Sequence, residues 1–322
     1  ITGTMIAISS NSWLSMWVGL EVNLLSIIPL MSNMKNKMKS EAAMKYFITQ
    51  AMASTIFMLA IIIMLSNNDN LMSSKMSSMI MDLALLTKMG AAPLHFWLPE
   101  VMEGLSWINA MIMLTWQKIA PMIIFMYSIK PLLLTTTVII MSMMVSGLMG
   151  INQTSMRKIL VYSSINHIGW MIAAMITNQS LWMIYFIIYT LMTINITMMF
   201  KMMNISFISQ LINSMNKSKT IKIMFSLNFL SLGGIPPFIG FFPKWITINS
   251  LIQEKMYMLT LIMIMLTLMT LVFYMRITFN SGMMTTTESN TTKNNKIDHK
   301  LIISNFIILS LIASCPLIIS FI

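Results

Sequence analysis

Charge is the scarcest commodity in this sequence. Of 322 residues, 20 are Lys or Arg and 9 are Asp or Glu, so 9% are charged, against about a quarter in ordinary soluble domains. The length would suffice for two such domains, but a soluble chain of this size could not cover its surface with so few charges. Hydrophobic residues reach 57% and the mean hydropathy is +0.79, which excludes an aqueous fold. Intrinsic disorder is excluded by the same numbers, because disordered chains are poor in apolar residues and rich in charge. Cysteine is all but missing: Cys315 stands alone, so neither an internal disulfide framework nor a cysteine-built metal site is available. Gly-x-Gly-x-x-Gly, Walker A, Cys-x-x-Cys and Gly-x-Ser-x-Gly patterns are all absent, so the chain itself shows no nucleotide, iron–sulfur or hydrolase site.

What the sequence has in abundance is long apolar runs. A bilayer core takes roughly 20 apolar residues per helix, and 46–68, 256–275 and 301–322 each fit one. The uncharged stretch 159–200 reads as two, divided at Thr177-Asn178-Gln179-Ser180. With 12–31, 76–98, 106–127, 132–150 and 221–246 the total is ten full spans. Residues 1–9 are apolar but too short to cross. They read as the tail of a further helix, for about eleven in all, with the given N-terminus truncated. Outer-membrane strands would alternate with period two, and these runs do not. No basic n-region and cleavage site marks a secretory signal. The expected class is an all-α polytopic membrane protein, a single transmembrane domain over 1–322 with one sizeable hydrophilic loop at 280–300.

The net charge of +11 raises nucleic acid as a partner in a soluble chain. Here the basic residues sit in short loops and no nucleic-acid motif accompanies them, so no nucleic-acid partner is expected. Lys35, Lys37 and Lys39, Arg157 and Lys158, Lys217, Lys219 and Lys222, and Lys293, Lys296 and Lys300 fall in one set of alternate loops. Lys75, Lys130 and Lys255 are nearly all the other set holds. The rich set faces the cytoplasm-equivalent side, which puts the C-terminus on the outer side.

Four ionisable residues lie inside spans: Glu21, Lys88, Lys118 and Lys244. Each costs roughly 2.5–3.5 kcal/mol at a helix centre unless it faces the bundle interior, a partner or water. The competing reading, snorkelling to an interface, applies best to Lys244 near a helix end and worst to Glu21 with its short stem. Two spans, near 79–98 and 222–246, carry helix breakers: Gly90 and Pro93 in the first, Gly233, Gly234, Pro236 and Pro237 in the second. Irregular backbone at membrane depth is tolerated only against protein or a water-filled cavity, and paired interrupted helices in two halves of a chain mark inverted-repeat ion transporters. Ordinary proline kinks are the alternative. His95, His167 and His299 lack the spacing of a metal or haem pair. His167 is a candidate proton relay or a structural histidine.

The strings Lys88-Met-Gly-Ala-Ala-Pro-Leu-His-Phe-Trp-Leu-Pro-Glu100, Leu114-Thr-Trp-Gln-Lys118-Ile-Ala-Pro121, Asn152-Gln-Thr-Ser-Met-Arg157-Lys158, Ser163-Ser-Ile-Asn-His167, Ser231-Leu-Gly-Gly-Ile-Pro-Pro-Phe238 and Gly240-Phe-Phe-Pro-Lys244-Trp245 resemble those of the antiporter-like proton-pumping subunits of mitochondrial respiratory complex I. The resemblance runs from about residue 11 to 280 and extends to bacterial sodium/proton antiporter subunits. It implies an inverted-repeat architecture with two broken helices, and a membrane-arm subunit of NADH:ubiquinone oxidoreductase in the mitochondrial inner membrane. Its partners are then the neighbouring membrane-arm subunits and phospholipids. No cofactor is expected on this chain; NADH, FMN, iron–sulfur clusters and ubiquinone belong to other subunits. Residue by residue, the resemblance makes Glu21 the mid-membrane glutamate that pairs with Lys88, Lys118 the central lysine, Lys244 the lysine of the second broken helix, and His167 a polar position on a hydrated axis. Moving Glu21 relative to Lys88 would change whether Lys88 keeps its proton, and charge on Lys88 would act on Lys118 by Coulomb repulsion. A stand-alone cation/proton antiporter and a purely structural scaffold are the competing functions. The 42 methionines are spread through nearly every span with no clustered soft-metal site, and with the resemblance they read as the product of an AT-rich mitochondrial genome.

Overall fold

The computed structural model describes residues 1–32, 36–66, 71–128, 132–215, 219–236 and 238–283. Expectations for Pro237, for the hydrophilic loop beyond Met283, and for the span 301–322 with the C-terminus fall outside the described residues, as do those for His299 and Cys315. Among the described residues the chain is helical, with no strand and one isolated β-bridge between Ser155 and Phe207.

The chain forms two compact units, 1–145 and 146–322. The first contains α1 (Thr2–Ser9), α2 (Trp13–Met31), α3 (Lys37–Ser66), α4 (Leu71–Met89), α5 (Trp97–Gly104), α6 (Trp107–Leu114) and α7 (Trp116–Ser128). Helix α8 (Leu132–Ile151) leads from the first unit into the second. The second continues with α9 (Met156–Thr177), α10 (Gln179–Met203), α11 (Ile208–Met215), α12 (Lys219–Gly233), α13 (Phe241–Gln253) and α14 (Tyr257–Met283).

Among the described residues seven helical stretches are long and apolar enough to cross a membrane: Trp13–Met31, Lys37–Ser66, Trp107–Ser128, Leu133–Ile151, Met156–Thr177, Gln179–Met203 and Tyr257–Phe279. The two runs containing helix breakers are not among them: α12 and α13 have 15 and 13 residues, and α4, with 19, carries Lys75, Asp82 and Lys88. The stretch expected as one span at 106–127 is interrupted as well. Thr115 ends α6 with φ −113° and ψ −75°, its Oγ1 donating to the Met111 carbonyl at 2.7 Å. Pro121, inside α7, has no N–H to offer the Gln117 carbonyl one turn earlier. Both irregularities bracket Lys118.

In the first unit α4 packs on α3 and α7, and α2 on α3 and α7. In the second unit α9 is the core element. It contacts α10, α13 and α14, and its side chains from Ile159 to Met175 are buried all round, as an evenly apolar helix requires. α8 lies against α14, where Gly147 and Gly150 face Met269 and Phe273, and Arg276 donates to the Ile151 carbonyl at 2.7 Å. That guanidinium closes the C-terminus of α8, where unpaired carbonyls carry partial negative charge.

Candidate functional site

Among the described residues each unit contains one glycine-capped helix break, and the two share one hydrogen-bond pattern. α4 ends because Gly90 turns left-handed, φ 76°, and α12 ends because Gly234 does the same, φ 78°. At the first, Gly90 N–H reaches the Leu86 and Thr87 carbonyls at 3.0 and 3.1 Å, and Ala91 N–H returns to Leu86 at 3.1 Å. At the second, Gly234 N–H reaches Leu230 and Ser231 at 3.2 and 3.0 Å, and Ile235 N–H returns to Leu230 at 3.4 Å. This is a glycine C-cap that satisfies the last carbonyls of a helix. Pro93 and Pro236 follow their glycines within three residues and lie beyond the caps, so glycine stops each helix and proline keeps it stopped. Gly233, grouped with the breakers in the sequence, is the last residue of α12.

A side chain also donates to one terminal carbonyl at each helix end. Trp97 Nε1 donates to Thr87 O at 3.0 Å. Lys244, one turn into α13, reaches back and donates from Nζ to Gly233 O at 2.7 Å. Lys88 sits in the last turn of α4. Although one lysine precedes its break and the other follows, both ammonium groups belong to a helix C-terminus, the end that favours a cation.

In the first unit Lys88 and Lys118 line a common cavity of about 20 Å³, space for a water molecule or two. Asn23, Tyr46, Gln50 and Gln117 add polar groups to its wall. Asn23 Nδ2 donates to Gln117 Oε1 at 3.0 Å, and Gln117 Nε2 returns a bond to Asn23 Oδ1 at 3.3 Å. Tyr46 donates to the same Gln117 oxygen at 3.4 Å. These bonds tie α2, α3 and α7 together beside the two amines. Lys88 and Lys118 are 7% and 2% exposed, which removes snorkelling as their explanation. The wall carries two amines and, among the described residues, no carboxylate.

Glu21 stands differently from the expectation of a direct pair. It is half-buried and does not line the cavity. Among the described residues the ion pairs are those of Lys45 with Glu41 and Glu100, both at 2.9 Å, so Glu21 and Lys88 do not touch. They still interact electrostatically. The physical reason is helical phase: Leu20, Asn23 and Leu24 form the face of α2 toward the cavity, and Glu21 lies about 100° round the helix from Leu20.

In the second unit His167 is 1% exposed. Its Nδ1 shares a hydrogen bond with Tyr185 Oη at 2.9 Å, and its ring packs on Tyr185 and Tyr189 at centroid distances of 5.9 and 5.0 Å. Lys244 is 6% exposed. Among the described residues no group of three or more His, Cys, Asp or Glu could hold a metal.

The sequence reading passed over Asn23, Gln50, Gln117 and Asp82. Asp82 is a fifth ionisable residue within the apolar runs, fully buried on α4. The signal available for it was an acidic residue in the 76–98 run. Attention to Gly and Pro neighbours misses it, because none flanks it.

A helical membrane protein with paired glycine-capped breaks and buried amines at the broken ends has the architecture of an ion-translocating subunit. The chain belongs to the NADH:quinone oxidoreductase/Mrp antiporter transmembrane family, whose model matches residues 10–270. It is 47% identical over 323 residues to NADH-ubiquinone oxidoreductase chain 2 of Locusta migratoria, covering 98% of this chain and 92% of that one. Over 314 residues it is 45% identical to the chain 2 of Anopheles gambiae, covering 95% and 92%. Its fold matches a chain of respiratory complex I from Thermus thermophilus with a TM-score of 0.86 at 21% identity, covering 98% of this chain and 76% of that one. A chain of an archaeal membrane-bound sulfane sulfur reductase matches with a TM-score of 0.79 at 17% identity, covering 97% and 70%. At those identities the likeness is one of fold.

Proposed function

We propose that this chain is a membrane-arm subunit of the proton-translocating NADH:ubiquinone oxidoreductase of the mitochondrial inner membrane. Its own part is to hold and pass protons, while electron transfer belongs to partner subunits. The observation that carries this reading is the pair of buried amines, Lys88 and Lys118, on one polar cavity beside a helix break. An amine is a proton carrier that needs no cofactor, and burial makes its charge costly enough to respond to small changes nearby.

Within the first unit, Lys88 takes its proton under the influence of Glu21. A second ammonium in the same cavity is then disfavoured by repulsion, so charging Lys88 drives the Lys118 proton onward through the amide-lined water space. Gln117, held by Asn23 and Tyr46, is placed to bind that water. In the second unit Lys244 and His167 act as further proton-holding groups. Lys244 is steadied in its charged form by the Gly233 carbonyl, and His167 exchanges its ring proton partner with Tyr185.

Relatives covering 92% of their own length with this chain are named as oxidoreductase chain 2, which disfavours a stand-alone antiporter. The test is Lys118→Ala in the assembled complex, reconstituted in liposomes. Protons moved per NADH oxidised should fall clearly below the parent value. An unchanged ratio in a fully assembled complex would remove Lys118 from the pathway. Co-purification of NADH dehydrogenase activity in mild detergent checks the partnership separately.

A further inference from the structure

Asp82 is a buried ionisable group that does not line the cavity. It lies on α4, 0% exposed, six residues before Lys88 and so about 9 Å away along the helix axis. Its Oδ1 is hydrogen-bonded to the hydroxyl of Ser128, at the end of α7. Its Oδ2 is buried and meets no hydrogen-bonding group among the described residues. Ser128 is ten residues beyond Lys118 on the other lysine-bearing helix, about 15 Å along its axis. α4 and α7 pack together, with Lys88 and Lys118 at one level and Asp82 and Ser128 at another. The two helices are therefore antiparallel, and the acid lies between the amine cavity and the end of the unit where α4 begins and α7 ends.

The Ser128 hydroxyl has one proton and two acceptors in reach, Asp82 Oδ1 and the Phe125 carbonyl at 3.0 Å. When Asp82 is ionised the hydroxyl donates to the carboxylate. When Asp82 is protonated, the acid donates to Ser128 Oγ and the hydroxyl turns to Phe125. Both protonation states are thus hydrogen-bonded without any helix moving, which a purely structural acid would not require. A carboxylate with one oxygen buried and unpartnered is costly at membrane depth, so an invariant charge here is the less economical explanation.

We propose that Asp82 is a proton-carrying residue of the first unit, exchanging protons by way of water with the Lys88–Lys118 cavity and passing them toward the end where α4 begins. The step balances. An ammonium N–H bond breaks and a carboxyl O–H bond forms on Asp82, leaving a neutral amine and a neutral acid. The O–H bond then breaks toward the far end, and the carboxylate returns to the Ser128 hydroxyl. Lys88 and Lys118 are the amines that face this route along α4 and α7, and Ser128 is its hydroxyl partner.

The proposal rests on the proton-translocating reading above, and the experiment separates the two. Asp82→Asn, Asp82→Glu, Ser128→Ala and Lys118→Ala are compared in the assembled, liposome-reconstituted complex. Asp82→Asn should lower the protons moved per NADH by the same fraction as Lys118→Ala, and Asp82→Glu should recover more than half of the loss. In redox-induced infrared difference spectra, a protonated-carboxyl C=O band should be present in the parent, shift in D2O and with Ser128→Ala, and vanish with Asp82→Asn. If Lys118→Ala lowers the ratio and Asp82→Asn does not, this proposal falls and the reading above stands. If neither lowers it, both fall. Should Asp82→Asn fail to assemble, the spectra of the parent and of Ser128→Ala decide, and the absence of a Ser128-sensitive band overturns the proposal.

Discussion

Two adjacent glycines at the second break have opposite work to do. Gly234 is left-handed at φ 78°, and a Cβ there would lie 2.8 Å from Lys244 Nζ. Alanine at this position carries a backbone penalty of roughly 1–2 kcal/mol and pushes the ammonium off the Gly233 carbonyl. Gly233 is helical, and its Cβ would meet Tyr274 Cδ2 at 3.5 Å and Leu271 Cγ at 3.7 Å, ordinary contacts. Gly233→Ala should therefore hold or raise stability, by about 0.5–1 kcal/mol, while Gly234→Ala lowers it and reduces proton pumping. Thermal unfolding of the assembled complex with each variant, followed by pumping assays, tests the contrast, and equal behaviour of the two would refute it. The dipeptide is plain in the sequence, but which glycine turns is not. Composition is identical at both positions, and only the backbone dihedral tells them apart. The same limit applies to Glu21. Its position mid-span was legible from its neighbours, yet its angle around α2, which takes it off the cavity wall, depends on which face the helix buries.

At the scale of the element, α1 and α2 meet backbone to backbone. A Cβ on Gly19 would come 2.5 Å from Ala7 N, and one on Gly3 2.7 Å from Asn23 N. Gly3 and Ala7 on one helix face Gly19 and Asn23 on the other, a small-residue crossing of the kind that brings membrane helices close without hydrophobic drive. Because Asn23 belongs to both the crossing and the cavity, the packing of α1 fixes part of the site. Gly19→Leu should force the helices apart at a cost of about 1–3 kcal/mol, lowering the yield of assembled complex. In what does assemble, the Asn23–Gln117 pair should be disturbed. Blue-native electrophoresis of membranes carrying Gly19→Leu and Gly19→Ala measures this, with leucine the worse of the two; parity with the parent for leucine would show that the crossing is not tight. The helical class and the two broken elements follow from hydropathy and from Gly-Pro spacing alone. The interruption at Thr115 does not, since threonine is common in membrane helices and its back-bond to Met111 shows only once the helix is built. The polar wall of the cavity escaped for a similar reason. Asn23, Gln50 and Gln117 are isolated amides within apolar runs, and only tertiary packing brings three helices' worth of them together.

For the whole molecule, polarity is distributed in reverse of a soluble protein. Met258 and Leu133 are 78% and 80% exposed, while Asp82 and Lys118 are 0% and 2% exposed. That distribution is stable only where the surroundings are apolar, and it makes sidedness the property on which any direction of proton movement depends. Helix α9 has 22 residues, about 33 Å long, enough to cross the hydrocarbon core. Asn152 and Gln179 flank it, are both exposed, and so lie on opposite faces of the membrane. The basic pair Arg157 and Lys158 lies at the Asn152 end, so the excess of positive charge in inward loops predicts that this end faces the matrix. In a background with Cys315 replaced by serine, Gln179→Cys should react with a membrane-impermeant maleimide added to intact mitoplasts, and Asn152→Cys should react only after the membrane is opened or inverted. Lys75→Cys in the same background reports on the end of the first unit where α4 begins, and its reaction from outside would direct the Asp82 route to the intermembrane space. The reverse labelling pattern would invert the chain in the membrane and turn the acid from an exit into an entry.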